Sequence, residues 1–416
     1  MRDRSRGTRR RKLNYKRFTI AMIILLLVII GITTGITAGI KVATQKPKEE
    51  KAPEEIAVPE DTVINLVATG DIMCHTTNFN AAYDPSTKTY DFTPVFKNVA
   101  KYITKADIAI GNLETTFAGA DRGYTGYPTF NSPEALGQAI KNIGIDVLST
   151  ANNHSLDKRY AGVESTLNTL DELGIAHTGT ARSQEEQDTI LVKDVNGVKI
   201  AFISFTYGTN GIPVEAGREY CVNLYEDEQL LLRQLALAKE QNPDIICASM
   251  HWGDEYSQKQ NEDQQDLANY LFKHGVDIII GNHAHVVEPM EKKTITMDDG
   301  TQKEVFVVYA LGNFVSGQTI EHTKSTAILD MQLRKNGSTG KMSIDSVNYI
   351  PVYCYDKGGA RQDRYELIDI RSAMAEYESG NKENIDDSLY NTIKKELANI
   401  EKVLGEPITK EKENQE

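Results

Sequence analysis

Gly144-Ile145-Asp146-Val147-Leu148-Ser149-Thr150 runs directly into Ala151-Asn152-Asn153-His154. The first part is a short apolar run with the length and composition of a buried strand. The second part places an amide beside an imidazole where that strand ends. Ser155-Leu156-Asp157 and a segment of helical spacing follow. Side by side at a strand exit, an Asn and a His can serve as one metal ligand and one proton donor. The alternative is a polar turn whose side chains cap the next helix, a common use of Asn. The choice depends on what other segments bring to the same place.

Four further segments follow the same pattern. Ile64 to Gly70 alternates and ends in Asp71, and Asp107 to Gly111 ends in Asn112-Leu113-Glu114. Asp244 to Met250 delivers His251-Trp252-Gly253, and Val276 to Ile280 delivers Gly281-Asn282-His283-Ala284-His285. Helical spacing separates them: Phe92 to Thr104, Pro133 to Asn142, Val163 to Leu173, Glu226 to Gln241 and Gln264 to His274. Asn196-Gly197 and Asp299-Gly300 mark two hairpins, Ile190 to Phe205 and Ile295 to Tyr309. More strand-like sequence covers Thr326 to Leu333 and Met342 to Val352. Alternating strands and helices with added hairpins indicate an α/β fold. In such sheets functional groups gather at the carboxyl ends of strands.

The polar clusters sit at those ends. The chain has eight histidines. His154, His251, His283 and His285 occupy strand exits, and His75 lies just past Asp71. His177, His274 and His322 have no matching polar partner in their own segments. An Asp/Glu/Asn/His set without useful Cys suits a divalent metal such as Zn, Mn or Fe. His283 and His285, one residue apart on an extended exit, would point the same way and bind together or to neighbouring ions. Such ions polarise a phosphoryl or carbonyl oxygen and activate water. His154 would then supply a proton to the leaving group. The competing readings are a surface turn for His283/His285, core packing for His251-Trp252-Gly253, a helix cap for Asp71 and a solvated loop acid for Glu114.

The 416 residues suffice for one large domain with accessories, or for two domains. A net charge of -13 disfavours nucleic acid as a partner. Cys74, Cys221, Cys247 and Cys354 are far apart and show no CxxC spacing, against a thiolate zinc site or a disulfide framework. Residues 1–17 are strongly basic and 18–40 carry no charge, so they are expected to form a cytoplasmic tail and a transmembrane anchor. A cleavable signal peptide is the alternative, but its apolar core is normally about 7–15 residues. Residues 41–62, rich in Lys, Glu and Pro, are expected to be a flexible linker. The expected main domain is 63–355 and is followed by a polar, surface-lying helical extension, 356–416.

Gly70-Asp71-Ile72-Met73, Gly111-Asn112-Leu113-Glu114, Ala151 to Asp157, His251 to Tyr256, Gly281 to Val287 and Tyr309 to Val315 occur in the order seen in the CapA-like family. The resemblance covers about residues 63–352. That family is tied to poly-gamma-glutamate capsule biosynthesis and is similar to metallophosphoesterases. The resemblance implies a layered sandwich of sheets flanked by helices, behind one N-terminal transmembrane helix. It implies metal ligation by Asp71, Asn153, His251, His283 and His285, and proton donation by His154. Two positions depart from the wider metallophosphoesterase pattern. Met73 stands where a ligand His is expected, and Asn112 stands where the metal-bridging Asp is expected. Glu114 and His75 are the nearest substitutes, so one ion and a remodelled pair both remain open. The resemblance implies a membrane-anchored extracellular part in capsule synthesis or export, with other capsule proteins and polyglutamate as partners. The alternatives are a non-catalytic assembly or polymer-binding subunit and a general surface phosphoesterase.

Overall fold

The structure, a computed structural model, describes residues 15–43, 59–360 and 362–409. The expected tail up to residue 14 and most of the expected linker, 44–58, lie outside the described residues. The chain divides into two units, Met1–Val58 and Pro59–Glu416. In the first, α1 (Tyr15–Ala43) contains a 24-residue stretch, Tyr15–Ala38, long and apolar enough to cross a membrane.

The second unit begins with β1 (Thr62–Ile72), α2 (Thr76–Ala82), α3 (Thr93–Phe96) and α4 (Ala100–Ile103). β2 (Ile108–Leu113), α5 (Ala135–Asn142), β3 (Val147–Ser149), α6 (Arg159–Leu173) and β4 (Ala176–Thr178) follow. After α7 (Gln184–Asp188) come β5 (Leu191–Val195), β6 (Val198–Thr206), α8 (Glu228–Glu240), β7 (Ile245–His251), α9 (Glu262–Lys273) and β8 (Ile278–Asn282). The chain continues with β9 (Met290–Thr296), β10 (Gln302–Val308), β11 (Asn313–Val315), β12 (Ser325–Lys335) and β13 (Met342–Asp356). It closes with β14 (Tyr365–Asp369), α10 (Ile370–Glu378), α11 (Asp387–Leu404) and β15 (Ile408–Thr409).

Two sheets result. The larger has the order β14-β13-β12-β1-β2-β3-β4, with β11 paired to β1 and β15 to β13. The smaller has the order β9-β10-β8-β7-β6-β5. Side-chain alternation stacks them. Leu66 and Ala68 of β1 and Ile108 and Ile110 of β2 share one buried cluster with Ile200 and Phe202 of β6 and Cys247 of β7. Their alternate neighbours face outward: Val67 and Ala109 pack with Phe96 and Ile140 under the helices of the larger sheet. Ile203, Ile246 and Ile279 pack with Leu235 and Leu271 of α8 and α9. Period-2 apolar strands buried on both faces thus yield two sheets between layers of helix, the expected α/β architecture.

Some local expectations change. Residues 92–104 form two short helices, and Asn98 between them donates to Glu366 of β14. The C-terminal segment is no surface-lying extension in its described part. The expected boundary at 355 falls within β13, β14 joins the larger sheet, and α11 buries Leu389, Ile393, Ile400 and Leu404 in the inter-sheet cluster. All four cysteines are buried free thiols.

Candidate metal centre

β1, β2, β3, β7 and β8 carry their parallel-paired carboxyl ends to one edge of the sandwich. Asp71 is in register with Asn112 on one side and Asn313 on the other. Two glycines allow the chain to crowd there. A Cβ at Gly70 would lie 1.8 Å from the carbonyl oxygen of Gly312, and one at Gly281 would lie 1.8 Å from that of Tyr309. Neither position tolerates a side chain without moving backbone.

Glu114 occupies the middle of the cluster. Its Oε1 lies 3.6 Å from His251 Nε2, and its Oε2 lies 3.9 Å from His285 Nδ1. Asp71 Oδ2 is 3.5 Å from His285 Nδ1. Ligand atoms of Glu114, His251 and His283 lie within 4.8 Å of one another, as do those of Asp71, Glu114 and His285. Glu114 belongs to both groups. Asn153 adjoins the first, its Oδ1 3.0 Å from His251 Nε2.

The electrostatics of these groups fit a cation. Glu114 is 0% exposed, and neither of its oxygens has a hydrogen-bond partner among the described residues. Burial, then the Asp71 and Glu255 carboxylates, push its carboxyl well above the usual range. His283 Nδ1 is likewise buried and unpartnered among the described residues. Burial, then His285, push the His283 imidazole down to about 3. Burial, then His283 and His285, hold His251 well below its ordinary value. Neutral imidazoles beside an uncompensated buried carboxylate are what a divalent ion requires.

Asparagines hold this set in place. Asn112 Nδ2 donates to Asp71 Oδ1 at 2.8 Å and lies 3.3 Å from His251 Nδ1. Asn152 Nδ2 donates to the Leu113 carbonyl at 2.7 Å, and its Oδ1 accepts from the His154 N–H. Asn313 Oδ1 lies 3.0 Å from His285 Nδ1. His283 and His285 are not on an extended exit. Both have positive φ, 97° and 60°, and their rings diverge by 59° with centroids 6.0 Å apart. That backbone is sparsely populated, and the two rings join different groups around Glu114. His75 is in neither ligand group, so it is not the replacement imidazole.

His154 belongs to neither candidate ligand group. Its Nδ1 is 2.7 Å from Asp157 Oδ2, which also accepts the Phe130 N–H. Phe130 packs edge-on against the His154 ring at 4.7 Å. Tyr207 packs against His283, with centroids 4.7 Å apart. Sequence reading missed Asp157, Asn313 and Tyr207 as participants. Asp157 could have been found, because it lies one helical turn after His154. The other histidines do have partners: Asp171 for His177, the Tyr270 carbonyl for His274 and Glu396 for His322.

The profile of the bacterial capsule synthesis protein family PGA_cap matches residues 65–318. The chain belongs to this family. Among PGA_cap relatives, the capsule biosynthesis protein CapA of Bacillus anthracis is 29% identical over 59% of this chain. That match also spans 59% of the relative's own length. The PGA biosynthesis protein CapA of Bacillus subtilis (strain 168) is 28% identical, over 69% of this chain and 72% of its own. Among solved structures, a phosphatase from Mycoplasma pneumoniae is similar with a TM-score of 0.41 and 14% identity, over 70% of this chain and 94% of that one.

Proposed function

We propose that this PGA_cap protein is a metal-dependent hydrolase of a phosphoester or amide bond serving poly-gamma-glutamate capsule synthesis or export. In this reading α1 anchors it, with the basic N-terminus in the cytoplasm and the folded unit outside the cell. The observation that carries the chemistry is Glu114, fully buried, with two unpartnered oxygens directed at two histidine groups. Asp71, Glu114, Asn153, His251, His283 and His285 would hold one or two divalent ions of the Mn, Zn or Fe class. Bound there, such an ion supplies a water of lowered pKa and polarises the substrate oxygen. Glu114, common to both groups, would supply the carboxylate that Asn112 lacks. Asp157 orients the His154 ring through its contact to Nδ1, and His154 would give the proton to the leaving group. Metal analysis of the purified chain after Mn or Zn reconstitution tests this. Stoichiometric metal that Glu114→Gln removes is expected, and a wild-type chain that takes up none ends the proposal.

A second reading, a non-catalytic assembly or polymer-binding subunit, draws on Asn112. Its amide donates to Asp71, so a donor occupies the place of a bridging carboxylate. In that case His154→Ala and His251→Ala leave polymer production unchanged, and deletion of residues 1–40 abolishes it.

A further inference from the structure

His75 sits at the edge of the centre and belongs to neither ligand group. Its surroundings hold it on two sides. The backbone N–H of His75 donates to Asn78 Oδ1 at 2.8 Å, and Asn78 Nδ2 donates to the Ser316 carbonyl. The ring Nδ1 accepts the Gly317 N–H at 3.1 Å. A Cβ at Gly317 would come within 2.8 Å of the His75 Cβ, so this approach depends on glycine. The ring also packs edge-on against Phe130, with centroids 5.1 Å apart, and Phe130 packs in turn on His154.

The Gly317 contact decides the tautomer. A backbone N–H is always a donor, so Nδ1 presents its lone pair and Nε2 carries the proton. A protonated Nε2 has no lone pair for a metal, but it can donate to an oxygen. Among the described residues nothing accepts from it. Burial, then His285 and His154, push its pKa down to about 4. The neutral ring is therefore a donor at Nε2, and it shares the Phe130 ring with His154.

We infer that His75 is a substrate-binding residue whose Nε2–H donates to an anionic oxygen of a phosphoryl group seated between His154 and His285. This rests on the metal-centre reading above. A phosphoryl group has more oxygens than its ligands and its leaving-group acid can engage. The one left over needs a donor that does not compete for the metal. Phosphoester is thereby favoured over amide as the substrate class, because the reacting phosphorus itself carries the additional anionic oxygen, whereas the reacting carbon of an amide carries a single oxygen.

The full-length chain in detergent, loaded with manganese, provides the test, with inorganic phosphate as the probe. Calorimetry reads phosphate affinity, and elemental analysis reads metal content in the same samples. His75→Phe keeps the ring against Phe130 and removes the donor, and should weaken phosphate binding about 10- to 100-fold. His75→Gln restores an N–H near the Nε2 position and should recover most of the affinity. Both variants should retain wild-type metal content. Unchanged phosphate affinity in His75→Phe with metal retained overturns the His75 proposal alone. Loss of metal in His75→Phe also overturns it, because His75 would then serve the ligands and not the substrate. A wild-type chain without stoichiometric metal overturns the metal-centre reading first.

Discussion

Asp157 Oδ2 lies 2.7 Å from His154 Nδ1, and both side chains are almost fully buried. The carboxylate accepts from Nδ1 and so fixes which ring nitrogen carries the proton. Asp157→Asn keeps the shape and removes the charge. Its kcat against p-nitrophenyl phosphate should fall about 10²–10⁴-fold, with metal content unchanged. Wild-type kcat in this variant would show that His154 acts without Asp157 or does not act at all.

Asn112→Asp tests the remodelled bridge. The substitution removes the 2.8 Å donation to Asp71 and sets two buried carboxylates against each other. The metal-free protein should lose about 2–4 kcal/mol in urea unfolding. Manganese should then raise the melting temperature by more than it does in the wild type, because a third carboxylate has joined the centre. An equal manganese response in both proteins would show that position 112 lies outside the metal's reach.

Glu288, in neither candidate ligand group, gives a pH signature of its own. It is 0% exposed, its Oε2 accepts from Gln264 Nε2 at 2.7 Å, and its Oε1 has no partner among the described residues. Burial pushes its carboxyl from 4.5 up to about 7. A raised carboxyl binds its proton more tightly in the folded state. Its contribution is therefore complete below pH 4.5 and is lost as the pH rises through about 7. The displacement corresponds to about 3 kcal/mol. Glu288→Gln should match the wild type near pH 4.5 and exceed it by up to about that amount at pH 8. Parallel stability–pH curves for the two proteins would show that Glu288 does not titrate in this window.

Glu396 of α11 accepts from Ser325 Oγ at 2.7 Å and from His322 Nδ1 at 2.9 Å. Glu396→Ala should cost about 2–4 kcal/mol, because both donors lose their acceptor under a buried helix. Chemical denaturation measures it. A cost below about 0.5 kcal/mol would mean that water replaces the carboxylate without loss.

The strands and the site could be read from sequence for one reason. Apolar runs such as Ile108 to Ile110 and Ile278 to Ile280 give way, after one glycine, to polar residues, and a parallel sheet brings those ends to one edge. The C-terminal segment was harder to read. Leu389, Ile393, Glu396, Ile400 and Leu404 form the buried stripe of α11, but the polar composition around them concealed its 3.6-residue period. The pairing of His322 with Glu396 joins residues far apart in the chain, so no local pattern announces it. The positive φ of His283 and His285 was also hidden, because those dihedrals come from the Tyr256 and Asp71 contacts to that loop and not from local propensity.

The neighbours of β1 set an order of assembly. Leu66 pairs with Ile108 on one side and with Met331 on the other. A chain emerging N-terminus first therefore carries this strand as an open edge until β12 has been synthesised. Pairings between such distant segments form slowly and leave apolar edges exposed to aggregation meanwhile. Asp71 is made early, but its final surroundings exist only once most of the chain has been translated. A nascent fragment thus lacks the clustered side chains, and a complete candidate centre belongs only to the finished molecule.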